Sequence, residues 1–135
     1  MRRTRLLNSE LSYEISRIGH TAHITLCDAG LPIPGGVKRI DLAIERGYPS
    51  FVRTLDALLS EMMVEEIVIA SEIHARNPDV FREMMEVFRA HEMEPRVTEV
   101  PHDELKKLTR SSEAIVRTGE CTPYANVILK SGVVF

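Results

Sequence analysis

Apolar residues recur along this chain with two alternating periods, and the switches between them mark out its elements. Leu11, Ile15 and Ile18 fall at i, i+4 and i+7, which predicts a helix over 9–19. Ser9 is placed to cap that helix, and Gly19 to end it in the left-handed conformation that glycine adopts cheaply. Residues 22–27 read as a strand, which Asp28 closes. Glycines and prolines then crowd the segment from Gly30 to Gly36, which predicts an irregular loop with a defined path. A short apolar stretch over 40–44 follows, interrupted by Asp41. Ser50 is set to cap a helix across 51–62, with Phe51, Leu55, Leu58, Leu59 and Met62 on its inward face. Residues 64–70 read as a buried strand. Asn77-Pro78-Asp79 opens a helix that runs to about His91, with Val80, Met84, Val87 and Phe88 inward. A strand over 95–100, a helix over 102–109 and strands over 114–116 and 127–129 complete the series. Val133, Val134 and Phe135 are all apolar, which predicts a docked C-terminus.

Helices and strands alternate through most of the chain. The expected fold is α/β: a single three-layer domain over residues 1–135, with helices packed on a largely parallel or mixed sheet. In such sheets ligands favour the loops beyond the carboxyl ends of the strands. Asp28 and the loop that follows it lie at such an end.

Composition narrows the partners. Hydrophobic residues make up 44% and charged residues 27%, as in ordinary globular proteins. The net charge is −3 and the pI about 6.0, which argues against nucleic acid as a partner. Arg2, Arg3 and Arg5 form the only basic cluster and read as a solvated terminus or an interface contact. No apolar stretch approaches the ~20 residues of a membrane span, and the first residues lack the apolar segment of a secretory signal. A cytoplasmic protein is expected, with Cys27 and Cys121 as reduced, mostly buried thiols.

The chemistry-bearing residues sit beside chain breaks. There is no glycine-rich phosphate loop, no HExxH and no GxSxG, and the five histidines show no metal-ligand spacing. His20, at a helix-to-strand turn, reads on its own as a surface cation near a helix C-terminus. Asp28 reads as a tie for the loop after it. His102 follows Pro101 and opens a helix, with Asp103 and Glu104 well placed in its first turn. Tyr124 and Asn126 read as a packed ring and a turn residue.

Together these residues form a pattern. Leu7-Asn8-Ser9, Arg17-Ile18-Gly19-His20-Thr21 and Cys27-Asp28-Ala29-Gly30-Leu31-Pro32-Ile33-Pro34 resemble the D-ribose pyranase family. So do Arg39-Ile40-Asp41-Leu42-Ala43, Gly47-Tyr48-Pro49-Ser50-Phe51 and Val116-Arg117-Thr118-Gly119-Glu120-Cys121-Thr122-Pro123-Tyr124-Ala125-Asn126. The resemblance spans the whole chain, with a looser match over about 72–110. It implies an enzyme that interconverts the pyranose and furanose forms of ribose without a cofactor. It implies His20 as proton donor, and Asp28, His102, Tyr124, Ala125 and Asn126 as sugar-binding residues. It also implies a homo-oligomer, a pentamer of dimers, with sites at subunit contacts. The chemistry is compatible: ring exchange needs proton transfers and one C–O cleavage, and a histidine can donate and accept near neutral pH. Which group is the base stays open. Two other expectations compete, a mutarotase for another sugar such as L-fucose and a sugar-binding module without turnover.

Overall fold

The structure, a computed structural model, describes residues 1–135. Its elements are α1 (Ser9–Arg17), β1 (His23–Cys27), β2 (Lys38–Asp41), α2 (Phe51–Leu59), β3 (Val64–Ala70) and α3 (Ile73–Arg76). There follow α4 (Pro78–Ala90), β4 (Arg96–Val100), α5 (His102–Leu108), a 3₁₀ turn (Thr109–Ser111), β5 (Ala114–Arg117) and β6 (Val127–Ser131). The strands form one six-stranded sheet in the order β2-β5-β1-β6-β3-β4. β2, β5 and β1 are mutually parallel, as are β3 and β4. β6 runs antiparallel to both its neighbours, β1 and β3.

Strand alternation divides the apolar side chains between two faces. Ile24 and Leu26 of β1, Ile67 and Ile69 of β3 and Val127 and Leu129 of β6 join the large core beneath α1, α2 and α4. Phe51, Leu55 and Leu58 of α2 and Met84 and Phe88 of α4 fill that core, each 0% exposed. Full burial of such a side chain contributes about 1.5–3 kcal/mol, so this face supplies most of the stability. Val68 and Ile128 point the other way and meet Leu105 of α5. Cys27 and Ile115 point that way too and are covered by Leu31 from the loop after β1. The result is the expected three-layer α/β arrangement, with a thinner second cover of one short helix and a loop.

Several local expectations need correction. Asn8, not Ser9, caps α1: its Oδ1 accepts from the Leu11 amide at 3.0 Å. Gly19 does not take a left-handed conformation; α1 ends at an extended Ile18, and Thr21 is the residue with positive φ, at 67°. β2 starts at Lys38 and ends at Asp41, before the apolar residues Leu42 and Ile44. Cys27 is buried but Cys121 is exposed, and both are free thiols. Burial, with some help from Asp28, pushes the Cys27 thiol up to about 12. The C-terminus is not docked within the chain: Val134 is 84% and Phe135 101% exposed. Ser50 caps α2 as expected, accepting from the Arg53 amide at 3.2 Å.

One charged cluster supports the far side of the sheet. Glu66 is held by Arg96, by the Thr98 hydroxyl at 3.0 Å and by Lys130 at 3.2 Å. Hydrogen bonding from Arg96, opposed by burial and helped by Thr98 and Lys130, lowers its carboxyl from 4.5 to about 2. A depressed carboxyl stabilises the fold fully above its unfolded value and loses that contribution as pH falls towards its folded value. Glu66→Gln is therefore expected to flatten the fall in stability between pH 4.5 and about 2, measured by urea unfolding at a series of pH values.

Candidate functional site

Because β6 alone is reversed, the carboxyl ends of the other five strands share one edge of the sheet with the start of β6. Asp28 follows β1 at that edge, and His102 opens α5 just beyond β4. Residues 118–126 leave β5 and enter β6 there. β1 lies between those two strands, so the segment must arch over its carboxyl end.

That arch brings the Asn126 side chain onto Asp28. Asn126 Oδ1 accepts from the Asp28 backbone N–H at 3.0 Å, and its Nδ2 donates to Asp28 Oδ2 at 2.9 Å. Asp28 Oδ1 accepts from the Gly30 amide at 2.9 Å. Asn126 is 1% exposed and Ala125 wholly buried, so these two form the floor, while Asp28 and Tyr124 are only half-buried. Tyr124 has φ 59°, a left-handed conformation that costs a non-glycine residue about 1–3 kcal/mol. Its ring meets His102 edge-on, with centroids 5.0 Å apart at 88°.

The arch is fastened along its length. The Glu120 carboxylate accepts from the Phe51 amide at 3.1 Å and from the Thr122 hydroxyl at 2.9 Å. The Glu120 carbonyl accepts from the Ala29 amide at 2.8 Å. Gly119 packs so closely on the 45–49 turn that a Cβ would lie 2.3 Å from the Tyr48 carbonyl oxygen, so only glycine fits.

His102 is placed by its backbone. Its N–H donates to both Glu72 carboxylate oxygens, each at 3.1 Å, which holds the Glu72 carboxyl below its usual range. Burial, with the Lys106 ammonium next, lowers the His102 imidazole from its ordinary value. Its Nδ1 is buried without a protein partner. Asp28, Arg76, His102, Lys106 and Tyr124 line an open cleft of about 420 Å³. A second cleft of about 410 Å³ adjoins it, between Asp28 and the Glu120–Pro123 stretch.

Four of the expected site residues thus converge around one cleft: Asp28 and Asn126 as a bonded pair, His102 and Tyr124 as a ring contact. Ala125 lies behind them in the core. His20 does not join them within the chain. It precedes β1, so the five residues of that strand, at ~3.3 Å each, set it about 16 Å away at the opposite edge. There its Nε2 lies 3.0 Å from Glu65 Oε2, on an exposed surface beside the end of β6. Glu72, Arg76, Asn77, Lys106 and Glu120 were not among the expected residues. Asn77 reads in sequence only as a helix start, and nothing local ties Glu72 to a residue thirty positions on.

The fold and the edge cleft define a small α/β protein with a polar site built on the loops of a mixed sheet. The chain belongs to the RbsD / FucU transport protein family, whose pattern it matches over residues 1–134. It is 78% identical to the D-ribose pyranase of Rhodopirellula baltica and 52% identical to that of Aliivibrio fischeri, each over the full length of both chains. Among solved structures it resembles Bacillus subtilis RbsD complexed with D-ribose, with TM-score 0.93 and 41% identity over the whole of both chains. The fucose mutarotase from Streptococcus pneumoniae, in complex with L-fucose, shares the fold at TM-score 0.82 and 24% identity, covering 95% of this chain and 94% of that one.

The low value of His102 has a direct readout. Its ring-proton NMR signals are expected to titrate with a midpoint below 6.5, and Lys106→Met to move that midpoint upward. An unchanged midpoint in that variant would assign the shift to burial alone.

Proposed function

We propose that this chain is a D-ribose pyranase, an intramolecular isomerase that exchanges the six- and five-membered ring forms of D-ribose without a cofactor. The observation that carries the reading is the convergence of Asp28, His102, Tyr124 and Asn126 on one edge cleft. The 78% identity to a D-ribose pyranase over the full chain supports it.

The reaction needs only proton traffic. The anomeric hydroxyl loses a proton, the ring oxygen gains one, and the C–O bond between them breaks to leave an open-chain aldehyde. A different hydroxyl then adds to the carbonyl, its proton is lost and the carbonyl oxygen is protonated. Asp28 offers acceptors for sugar hydroxyls, and Asn126 holds that carboxylate in register. Tyr124 offers a hydroxyl and an apolar ring face. His102, whose neutral form burial favours, can in that form accept a hydrogen bond from a hydroxyl.

In this reading His20 serves as proton donor and comes from a second copy of the chain, which its separation from Asp28 along β1 supports. The site then lies at a subunit contact, with Asp28, His102, Tyr124 and Asn126 from one protomer and His20 from its neighbour. The exposed Val134 and Phe135 lie on the His20 side of the sheet and suit burial in such a contact. In this reading the protein is a single domain that works as a decamer, a pentamer of dimers, in the cytoplasm.

Saturation-transfer NMR on equilibrated D-ribose tests the activity, with L-fucose in parallel. Exchange between pyranose and furanose signals above the buffer rate is expected. Exchange for fucose alone would make the chain a mutarotase, and binding without exchange a sugar-binding module. His20→Ala is expected to lower the catalysed rate by about 10²–10⁴. His20→Ala and Asp28→Ala chains, each inactive alone, co-assembled one to one should regain about a quarter of wild-type activity, since about a quarter of all contacts then carries both intact halves. No regain would place both residues in one chain's site.

A further inference from the structure

Asn77 is 8% exposed and stands between α3 and α4, with Pro78 after it at the first helical position. Asparagine is a favoured helix cap, and proline favours the position after one. The expected role of this side chain is therefore to cap α4. It makes no such bond. Its amide group turns away from the helix and donates to Thr122 Oγ1 at 2.8 Å and to the Pro123 carbonyl oxygen at 2.9 Å.

Those two acceptors immediately precede Tyr124, the residue held at φ 59°. Pro123 has no N–H, so its carbonyl is the one polar backbone group it offers. Fixing that carbonyl fixes the plane of the Pro123–Tyr124 peptide, and with it the direction in which the Tyr124 ring leaves the chain towards His102. The anchor is itself rigid. The Asn77 backbone N–H donates to the Ile73 carbonyl at 2.8 Å, and the Asn77 carbonyl accepts from Phe81 at 3.3 Å, which ties it to both helices. Two other holds lie near this point: Glu120 on Thr122 acts two residues before Tyr124, and the Asn126 N–H donates to the Tyr124 carbonyl at 2.9 Å, and neither reaches the Pro123 carbonyl.

We infer that Asn77 is a positioning residue of the sugar site: its side-chain amide sets the orientation of Tyr124 and does not cap the helix. The inference rests on the reading of Tyr124 as a sugar-contacting residue. The Asn77 side chain is bonded to Thr122 and Pro123 and is not among the groups that line the cleft.

Asn77→Asp separates the two roles. Aspartate has the same shape and caps a helix as well as asparagine, but it turns an oxygen where the amide donor met the Pro123 carbonyl. In the assembled protein, KM for D-ribose is expected to rise about tenfold with kcat within about threefold, because the proton donor is held elsewhere. Amide hydrogen exchange is expected to speed up at Tyr124, Ala125 and Asn126 and to stay unchanged along α4. Thr122→Val, at an exposed position, removes one of the two acceptors and should give a smaller shift of the same kind, even where the Asn77→Asp variant assembles poorly. An unchanged KM with wild-type exchange at 124–126, or faster exchange confined to α4, would overturn the inference. A wild-type protein without ribose exchange would sink the proposed function instead. The hydrogen-exchange comparison would still decide whether Asn77 holds the Tyr124 segment.

Discussion

The reversed strand β6 is the constraint on which the rest of the structure depends. Placed between β1 and β3 and antiparallel to both, it is reached from β5 by a segment that must pass over the end of β1. An ordinary parallel sheet would send that connection across a face, through a helix. Here it becomes an arch at the carboxyl edge, and the Asp28–Asn126 pair is the contact that closes it. The arch also explains why the side chains of Thr118, Glu120, Thr122 and Asn126 are paired. Its backbone crosses a buried strand end, where unsatisfied groups would be costly. Thr118 donates to the Cys27 carbonyl, Glu120 reaches the start of α2, and Asn77 holds Pro123.

The two edges of the sheet have different chemistry. At the carboxyl edge, polar side chains are ordered by neighbours and face a cleft. At the other edge, His20 and Glu65 stand exposed next to an apolar tail with no cover. A residue suited to proton transfer and a surface suited to contact thus lie together, away from the cleft around Asp28 and Asn126. The site between copies proposed above would join the two edges, and it would cover hydrophobic surface that a monomer leaves to water.

Helix and strand periodicity made most of the elements legible. α2, β3 and α4 lie where Phe51, Leu55, Ile67, Met84 and Phe88 place them, because burial on one face enforces period 3.6 or 2. Ends were less legible. Asn8 caps α1 in place of the adjacent Ser9, since either side chain can fill that role and only the path of the preceding chain chooses. The four-residue α3 was not foreseen; so short a helix has too few turns to leave a period.

The site divides in the same way. Asp28 at a strand end, His102 at a helix start and the Pro123-Tyr124-Ala125-Asn126 stretch before β6 stand out in the sequence, because chain breaks and polar residues are local features. Their mutual contact is not local. Asp28 and Asn126 are 98 positions apart and His102 and Glu72 thirty, so only the strand order could bring them together. The sequence by itself determined the layers, the faces of the helices and the residues able to do acid–base chemistry, since each follows from the spacing of side chains along the chain. The tertiary structure alone decided that His20 lies at the opposite edge from Asp28, and that Asn77 reaches for a loop and not its own helix. Direction and distance across a sheet are set by how strands pair, and pairing is a property of residues far apart in the chain.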